Sequence, residues 1–308
     1  MKRIAVTGGL GFIGTNLVPR LQQALGAEVR ILDNGYNPSG DLELNPGIDL
    51  VTGDIRDPSA VDQMLEGVDG VVHLAAHTRV LESIAEPVEN YDINVNGSMV
   101  LLEAMRRHGI RSLVNASTGG AILGEVEPPI RENMAARPAA PYGASKLAVE
   151  GYCSAYAQSY GMDIVSLRFS NIYGPHSRNK GSVVASFIKQ IVEKGEVTVY
   201  GGGTQTRDYL FVSDLVAGII AALRDRCTGV FQLGSGKPTN LLSLIDILKD
   251  VTEQDFNIRF ENFRVGEVKN TYCDITCAEQ AFDFKPGTKL RDGVAETWQW
   301  FQSQELIT

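Results

Sequence analysis

Short apolar runs alternate with amphipathic segments through the first half of the chain. The apolar runs are rich in β-branched side chains and lie at residues 2–7, 28–32, 48–54, 70–76, 111–118 and 163–168. The segments between them show helical spacing of apolar positions, at residues 15–21, 58–65, 96–108 and 142–157. Continuous apolar runs of this length are typical of strands buried on both faces. Strands that alternate with helices predict right-handed crossovers and one doubly wound parallel sheet, an α/β fold.

The predicted strands end in polar or small residues. Residues at or just beyond their carboxyl ends are Asp33, Asp54, Ala75, Ala76, Ser117, Thr118 and Ser170. Ligands of open parallel sheets bind in the crevice outside the carboxyl ends of the strands. The sequence therefore predicts a binding site along this edge of the sheet.

A glycine-rich turn joins the first predicted strand to the first predicted helix. Gly9, Gly11 and Gly14 have the spacing of the dinucleotide-binding fingerprint, and Gly8 offers an evenly spaced alternative with Gly11 and Gly14. Glycines let backbone N–H groups approach a pyrophosphate closely at a helix N-terminus. Asp33 lies 19 residues beyond Gly14, where a carboxylate binds ribose hydroxyls and repels a 2′-phosphate. The pattern favours NAD over NADP; the alternative is a glycine-rich turn followed by an ordinary strand-end aspartate.

Tyr142 and Lys146 are four residues apart in a predicted helix, so they lie on one face of it, one turn apart. A phenol beside an ammonium suits a group that gives and takes a proton. Because a nearby cation favours the phenolate, we expect the pKa of Tyr142 to fall below its usual value of about 10. The spacing alone also fits a solvated lysine beside a half-buried tyrosine.

Composition argues against several classes of protein. The chain of 308 residues has a net charge of −9 and no basic stretch, which argues against nucleic acid as a partner. No apolar run approaches the ~20 residues that span a bilayer, so no membrane association is expected. A strand follows directly after Lys2 and Arg3, which leaves no room for a signal peptide and predicts a cytoplasmic protein. The four cysteines are scattered without a Cys/His cluster, so no metal is expected.

Several motifs along the chain form a recognisable set. They are residues 7–14 (TGGLGFIG), 53–55 (GDI), 73–76 (HLAA), 94–97 (NVNG), 116–121 (ASTGGA), 168–175 (RFSNIYGP) and 207–209 (RDY), together with Tyr142 and Lys146. Through them essentially the whole chain resembles the extended short-chain dehydrogenases/reductases, within them the NAD-dependent nucleotide-sugar epimerase/dehydratase group, and there the UDP-glucose and UDP-N-acetylglucosamine 4-epimerases. The resemblance implies NAD as cofactor and a Rossmann-type doubly wound parallel sheet, with a smaller C-terminal substrate-binding α/β domain.

The resemblance also implies roles at the matching positions. Tyr142 would be the catalytic acid/base, and Lys146 would bind the nicotinamide ribose and tune the phenol. Ser117 or Thr118, with Thr118 favoured, would hydrogen-bond the reacting sugar hydroxyl. The implied cofactor-binding residues are Gly8, Gly11, Phe12, Ile13, Gly14, Asp33, Asn34, Asp54, Ile55, Leu74, Ala75, Ala76, Asn94, Ser117, Tyr142, Lys146, Phe169 and Ser170. Asn94 could instead cap a helix, and the two hydroxyl residues could simply end a strand.

For the substrate, the resemblance implies a UDP-sugar bound mainly by the second half of the chain. Arg207 and Arg264 would clamp the nucleotide diphosphate, because guanidinium groups suit bidentate phosphate recognition. An ion pair with Asp208 or Glu267 is the alternative. The implied substrate-binding residues are Thr118, Asn171, Arg178, Val183, Tyr200, Arg207, Arg264 and Thr271. The expected domains are an NAD-binding domain at 1–175, to which 206–236 returns, and a substrate domain at 176–205 and 237–308.

The predicted reaction is epimerisation at sugar C4 through a transient 4-keto sugar. A 4,6-dehydratase of this group also needs an Asp-Glu pair just after the threonine, where this chain has Gly119 and Gly120. The decarboxylase subgroup has a different pattern around its tyrosine. A reductase that releases its cofactor and a non-catalytic dinucleotide sensor on the same fold remain alternatives.

Two departures from UDP-galactose 4-epimerases concern the sugar pocket. Leu123 precedes Gly124 where a tyrosine is common, and Thr271 occupies a pocket-wall position where a tyrosine limits the size of the sugar. Because threonine is much smaller, we hypothesise that the pocket admits a bulky C2 substituent such as N-acetyl.

The family also implies a homodimer, held by a four-helix bundle of the helix after Asn96 and the helix of Tyr142. The small and apolar residues expected at that interface are Leu101, Met105, Ala144, Leu147, Ala148 and Gly151. Burial against the sheet would explain the same residues equally well.

Overall fold

The structure is a computed structural model that describes residues 1–39, 46–262 and 268–304. Its strands are β1 (Arg3–Thr7), β2 (Glu28–Asp33), β3 (Ile48–Thr52), β4 (Gly70–His73), β5 (Ser112–Thr118), β6 (Asp163–Phe169), β7 (Asn171–Tyr173), β8 (Glu196–Tyr200), β9 (Thr206–Phe211), β10 (Gly229–Leu233), β11 (Pro238–Asn240) and β12 (Asn257–Glu261). Its α-helices are α1 (Phe12–Leu25), α2 (Pro58–Leu65), α3 (Val80–Ala85), α4 (Pro87–Tyr91), α5 (Gly97–His108), α6 (Gly119–Leu123), α7 (Pro141–Tyr160), α8 (Val183–Lys194), α9 (Val212–Arg224), α10 (Leu241–Thr252), α11 (Thr276–Phe282) and α12 (Leu290–Ser303).

A seven-stranded parallel sheet confirms the predicted fold class. Its strand order is β10-β6-β5-β4-β1-β2-β3. The chain first builds outward from β1 to β3, then crosses back and builds outward on the other side from β4. The direction of winding therefore reverses between β1 and β4. A reversal of this kind opens a crevice at the carboxyl ends of the strands, where ligands bind.

Helices cover both faces of this sheet. On one face α1, α9 and α11 share an apolar core with the strands, and on the other α2, α5 and α7 do so. Leu101 and Met105 of α5 are fully buried in the second core. Of the two explanations that the sequence left open for these two residues, the structure supports burial in the core, because the sheet and its own helices cover them.

The second half of the chain builds smaller layers beside the sheet. Strands β11, β9 and β7 form a three-stranded sheet, and β12 pairs with β8. Helices α8, α10 and α12 pack around these strands in a third apolar core. Within residues 206–236, β10 joins the large sheet whereas β9 joins the small one. The domain boundaries given by the sequence remain a prediction.

Some elements near the site differ from the predicted ones. Strand β4 ends at His73, so Ala75 and Ala76 lie in an irregular segment just beyond the strand. A π-helical turn, Asp92–Asn96, precedes α5, and such turns are frequent at functional sites. Helix α7 is longer than predicted because Pro141 suits its first turn and Gly161, with φ 63°, ends it in the left-handed conformation.

Candidate active site

A cavity of about 450 Å³ lies along the carboxyl ends of the central strands. Every residue of the implied cofactor site lines it except Asn94. The catalytic candidates Ser117, Thr118, Tyr142 and Lys146 line the same cavity. The structure therefore brings together residues that are up to 162 positions apart in the sequence, from Gly8 to Ser170.

The glycine-rich turn leaves room for a ligand at the start of α1. Gly8 has φ 69°, and a Cβ on it would lie 2.7 Å from the backbone nitrogen of Ala75. A Cβ on Gly14 would lie 2.5 Å from Gly9 Cα. Glycine is therefore required at both positions, one for the turn and one for close packing of α1 on it. The resulting concave backbone fits a pyrophosphate at a helix N-terminus.

Asp33 links the turn to the end of β2. Its carboxylate accepts one hydrogen bond from Leu10 N at 2.9 Å and one from Gly35 N, also at 2.9 Å. A second carboxylate, Asp54, accepts from Asn34 Nδ2 at 3.3 Å and pairs with Arg56. The Arg56 guanidinium lowers the pKa of Asp54 to about 2. Two carboxylates at this end of the cavity suit ribose hydroxyls and oppose a 2′-phosphate.

Tyr142 and Lys146 lie in the cavity on the first two turns of α7. Lys146 Nζ donates a 2.9 Å hydrogen bond to Ala116 O in β5, which anchors the ammonium to the strand before the hydroxyl pair. Burial lowers the pKa of Lys146 to about 8 and raises that of Tyr142 to about 12. The expected fall in the pKa of Tyr142 is therefore wrong, because burial desolvates the phenolate and so raises this pKa.

The structure separates the two hydroxyl candidates. Ser117 is buried, and its Oγ donates a 2.6 Å hydrogen bond to Glu150 Oε1. Glu150 is itself buried and forms a bidentate ion pair with Arg168, with a shortest distance of 2.7 Å. Thr118 ends β5 and is only partly buried at the cavity wall. Its hydroxyl is thus better placed than that of Ser117 to meet a substrate.

Asn94 lies behind the cavity rather than in its wall. Its Oδ1 accepts from His77 N at 2.7 Å, and its Nδ2 donates to Ser145 Oγ at 2.9 Å. Ser145 Oγ in turn donates to Tyr142 O at 2.8 Å. Asn94 therefore ties the segment after β4 to the first turn of α7, and its cofactor contact remains a prediction.

A buried hydrogen-bond chain runs below the glycine-rich turn. Thr7 Oγ1 lies 2.7 Å from His73 Nδ1, and His73 Nε2 lies 2.9 Å from Ser98 Oγ. Ser98 Oγ donates its own hydrogen to Asn94 O at 2.5 Å. Ser98 Oγ must therefore accept a hydrogen bond from His73 Nε2–H. His73 Nδ1 then carries no hydrogen and accepts from the hydroxyl of Thr7. Burial lowers the pKa of His73 to about 3, so the imidazole is neutral and supports the turn without taking part in proton transfer.

Of the implied substrate residues that the structure describes, only Thr118 lines the cavity. Thr271 faces α6: a Cβ on Gly120 would lie 3.4 Å from Thr271 Oγ1. Arg207 Nη1 donates to Thr206 O at 2.9 Å and to Lys269 O at 2.8 Å, so it joins β9 to the segment before Thr271. Asn171 begins β7, Arg178 is exposed, Val183 begins α8 and Tyr200 ends β8. Arg264 and its alternative partner Glu267 lie outside the described residues.

Sequence analysis missed two features of the site. Glu150 lies four residues after Lys146 on the inward face of α7, a spacing that could have indicated a second buried charge. Lys180, in the loop after β7, lines the cavity although no motif marks it. Among the described residues there is no helix that could cross a membrane, and no cluster of side chains that could hold a metal ion.

Comparison with known proteins identifies the family of the chain. Residues 4–234 match the model of the NAD dependent epimerase/dehydratase family. A putative UDP-glucose 4-epimerase of Methanocaldococcus jannaschii is 35% identical over 304 residues, which cover 97% of this chain and 98% of the relative. A dTDP-glucose 4,6-dehydratase of Streptomyces niveus is 33% identical and covers 97% of this chain and 93% of its own.

Among solved structures, a UDP-N-acetylglucosamine 4-epimerase of Methanobrevibacter ruminantium, in complex with UDP-N-acetylmuramic acid, superposes with a TM-score of 0.92. It is 30% identical, and the match covers 98% of this chain and 99% of that one. The family match spans the glycine-rich turn, both strand-end aspartates and the Tyr142–Lys146 pair. The chain therefore belongs to the NAD-dependent epimerase/dehydratase family of extended short-chain dehydrogenases/reductases, and its cofactor is NAD.

Proposed function

We propose that this enzyme is a UDP-sugar 4-epimerase. The observation that carries the proposal is that a hydroxyl, a phenol and an ammonium (Thr118, Tyr142 and Lys146) line one cavity, while glycines rather than acids follow Thr118 in the sequence. A Cβ on Gly119 would collide with Gln232 Oε1, so a larger residue there requires that side chain to shift. The Asp-Glu pair that a dehydratase of this group needs is absent from positions 119 and 120.

Each of the three side chains has a separate role in this reaction. Thr118 hydrogen-bonds the C4 hydroxyl, and Tyr142 removes its proton and later returns it. Bound NAD supplies a reversible hydride acceptor and, when oxidised, a positive charge. Lys146, held at Ala116 O, adds a second positive charge near the phenol and so offsets the cost of forming a buried phenolate.

Epimerisation also requires that the 4-keto sugar present its other face before the hydride returns. That rotation needs contacts that hold the nucleotide firmly and the sugar loosely. Arg207 and Asn171 support nucleotide binding in this proposal, whereas the small residues Gly120 and Thr271, which lie beside each other, would leave room for the sugar to turn. The name of the M. ruminantium neighbour, an epimerase of an N-acetyl sugar, supports the same substrate class.

Incubating the purified enzyme with a panel of nucleotide sugars and reading the products by NMR tests the proposal. We expect interconversion of the C4 epimers of a UDP-hexose or UDP-N-acetylhexosamine, bound NAD in the purified protein, and no net NADH. A 4-keto-6-deoxy product would identify a dehydratase, loss of CO₂ a decarboxylase, and stoichiometric NADH a dehydrogenase. Unchanged activity in Tyr142→Phe would contradict the catalytic assignment, and no activity on any sugar would favour a dinucleotide sensor.

We also propose a homodimer formed by α7 and its neighbour α4. Ala144, Gly151 and Tyr152 on α7 are exposed, and Val88 and Tyr91 on α4 are 78% and 54% exposed. An exposed row of small residues flanked by large apolar ones suits close helix packing. This face replaces the one that the sequence had placed partly on α5.

A further inference from the structure

The loop between β7 and α8 crosses the cavity that binds NAD. We call residues 175–181 the strap. Its start is bound to α1, since Asn16 Nδ2 donates to Pro175 O at 3.1 Å. Its far end is bound to the other side, since Asn179 Nδ2 donates to Pro38 O at 2.6 Å and Arg79 Nη2 donates to Asn179 O at 3.4 Å. The strap is thus fixed across the cavity rather than loose beside it.

Lys180 points from the strap to the beginning of α1. Its Nζ lies 4.7 Å from the centre of the Phe12 ring, and both residues line the cavity together with Gly11 and Gly14. Phe12 is the first residue of α1, next to the backbone that fits a pyrophosphate. The ammonium therefore lies at the diphosphate end of the cavity.

The other cations of the cavity wall already have partners. Arg56 pairs with Asp54 and Asp92, and Arg79 pairs with Glu82. Lys146 donates to a backbone carbonyl. Lys180 has the Phe12 ring beside it, and burial without an opposing carboxylate among the described residues lowers its pKa to about 8. A partly buried ammonium of this kind is stabilised by an anionic ligand.

We propose that Lys180 binds a diphosphate, with the strap holding its ammonium over the N-terminus of α1. Two diphosphates are available to this cavity, that of NAD and that of the nucleotide sugar; the second source rests on the proposed function. In either case the strap would close over a bound diphosphate and slow its release, which suits an enzyme that regenerates its cofactor in place.

The test compares Lys180→Met, which keeps the aliphatic stem on Phe12 but removes the charge, with Lys180→Arg, which keeps the charge. Lys249→Met is the matched control, because Lys249 on α10 does not line the cavity and its Nζ likewise lies beside a ring, 5.4 Å from that of Phe256. The NAD content of the purified enzyme and the dissociation constant of NAD test whether Lys180 binds the diphosphate of NAD. The dissociation constant of UDP on the NAD-loaded enzyme, measured by calorimetry, tests whether Lys180 binds the diphosphate of the nucleotide sugar.

We expect Lys180→Met to weaken one of these two ligands by about 10-fold, the size of a charge-assisted hydrogen bond. Lys180→Arg should stay close to wild type, and Lys249→Met should change neither ligand. Weaker binding of NAD would identify the diphosphate of the cofactor as the ligand of Lys180, and weaker binding of UDP would identify that of the nucleotide sugar. If both constants for Lys180→Met lie within twofold of wild type in folded protein, the inference is overturned. Should the wild type bind no UDP, the proposed function fails and the NAD measurement alone decides the role of Lys180. Lys180→Gln repeats the test if the methionine variant does not fold.

Discussion

Ser117 Oγ donates a 2.6 Å hydrogen bond to Glu150 Oε1, joining the end of β5 to the interior of α7. Glu150 also carries the bidentate contact of Arg168 from β6. The serine hydroxyl is therefore committed to a buried carboxylate, and the adjacent Thr118 is left to face the cavity. This hydrogen bond makes Ser117 a structural hydroxyl and leaves Thr118 as the one that we propose to be reactive.

Removing the hydroxyl of Thr118 should mainly lower kcat, whereas removing that of Ser117 should mainly lower stability. Thr118→Val should lower kcat by about 100-fold, since a donor that acts on the reacting oxygen is lost, with little change in stability. Ser117→Ala should lower the free energy of unfolding by about 2 kcal/mol, since a charge-assisted hydrogen bond is lost, and affect kcat far less. Steady-state kinetics and denaturant unfolding of both variants measure this. The reverse pattern would make Ser117 the reactive hydroxyl.

Glu150→Gln should be strongly destabilising. It leaves the buried Arg168 guanidinium without its counter-charge, a change that costs about 3–5 kcal/mol. The exposed pair of Arg291 and Asp250, at 2.7 Å, offers the control, and Asp250→Asn should cost less than about 1 kcal/mol. Urea unfolding followed by circular dichroism compares the two. Equal effects would mean that the buried pair contributes no more than a surface one.

His73 should make the protein sensitive to acid. Its folded pKa of about 3 lies below the usual value of 6.5, so between these values the unfolded chain binds a proton that the native state does not. Stability contributed by the neutral imidazole is therefore present above pH 6.5 and is lost as pH falls, by up to about 1.4 kcal/mol per pH unit. Between pH 7 and pH 4, the free energy of unfolding should fall less steeply with decreasing pH in His73→Gln than in wild type.

Thr271 should control the size of the accepted sugar. Because it lies against Gly120 of α6, Thr271→Tyr would narrow the sugar end of the site. We expect kcat/KM for UDP-GlcNAc to fall by at least about 10-fold relative to UDP-glucose, the cost of overpacking a fitted pocket. Thr271→Ser is the control and should keep the wild-type ratio. A strong wild-type preference for UDP-glucose would refute the hypothesis of a wide pocket.

The proposed dimer should depend on the exposed row of small residues on α7. Gly151→Arg places a long charged side chain there and should shift the protein to monomer, because a charge buried in an apolar interface is costly. Gln302→Arg on the exposed side of α12 is the control. Light scattering with size-exclusion chromatography reads the mass of each variant. A monomeric wild type would reject the interface outright.

Much of the fold and of the cofactor site follows from local sequence. Apolar runs between amphipathic segments determined a parallel sheet, since strands buried on both faces must be apolar throughout. The spacing of Gly8, Gly11 and Gly14 and the position of Asp33 indicated NAD, because backbone geometry around a pyrophosphate permits few alternatives. The i,i+4 relation of Tyr142 and Lys146 is likewise a local property of a helix.

Other features depended on which distant groups pack together. The pKa of Tyr142 rises rather than falls, because burial is a property of the surrounding fold and not of the neighbouring lysine alone. Leu101 proved to be core, and Ser117 proved to be bound to a carboxylate 33 residues away. Lys180 reaches Phe12 across 168 residues of sequence. Local pattern thus determined the strands, the helices and the chemistry they carry, whereas desolvation and long-range contacts, which only the tertiary structure sets, decided which of those groups face the ligand.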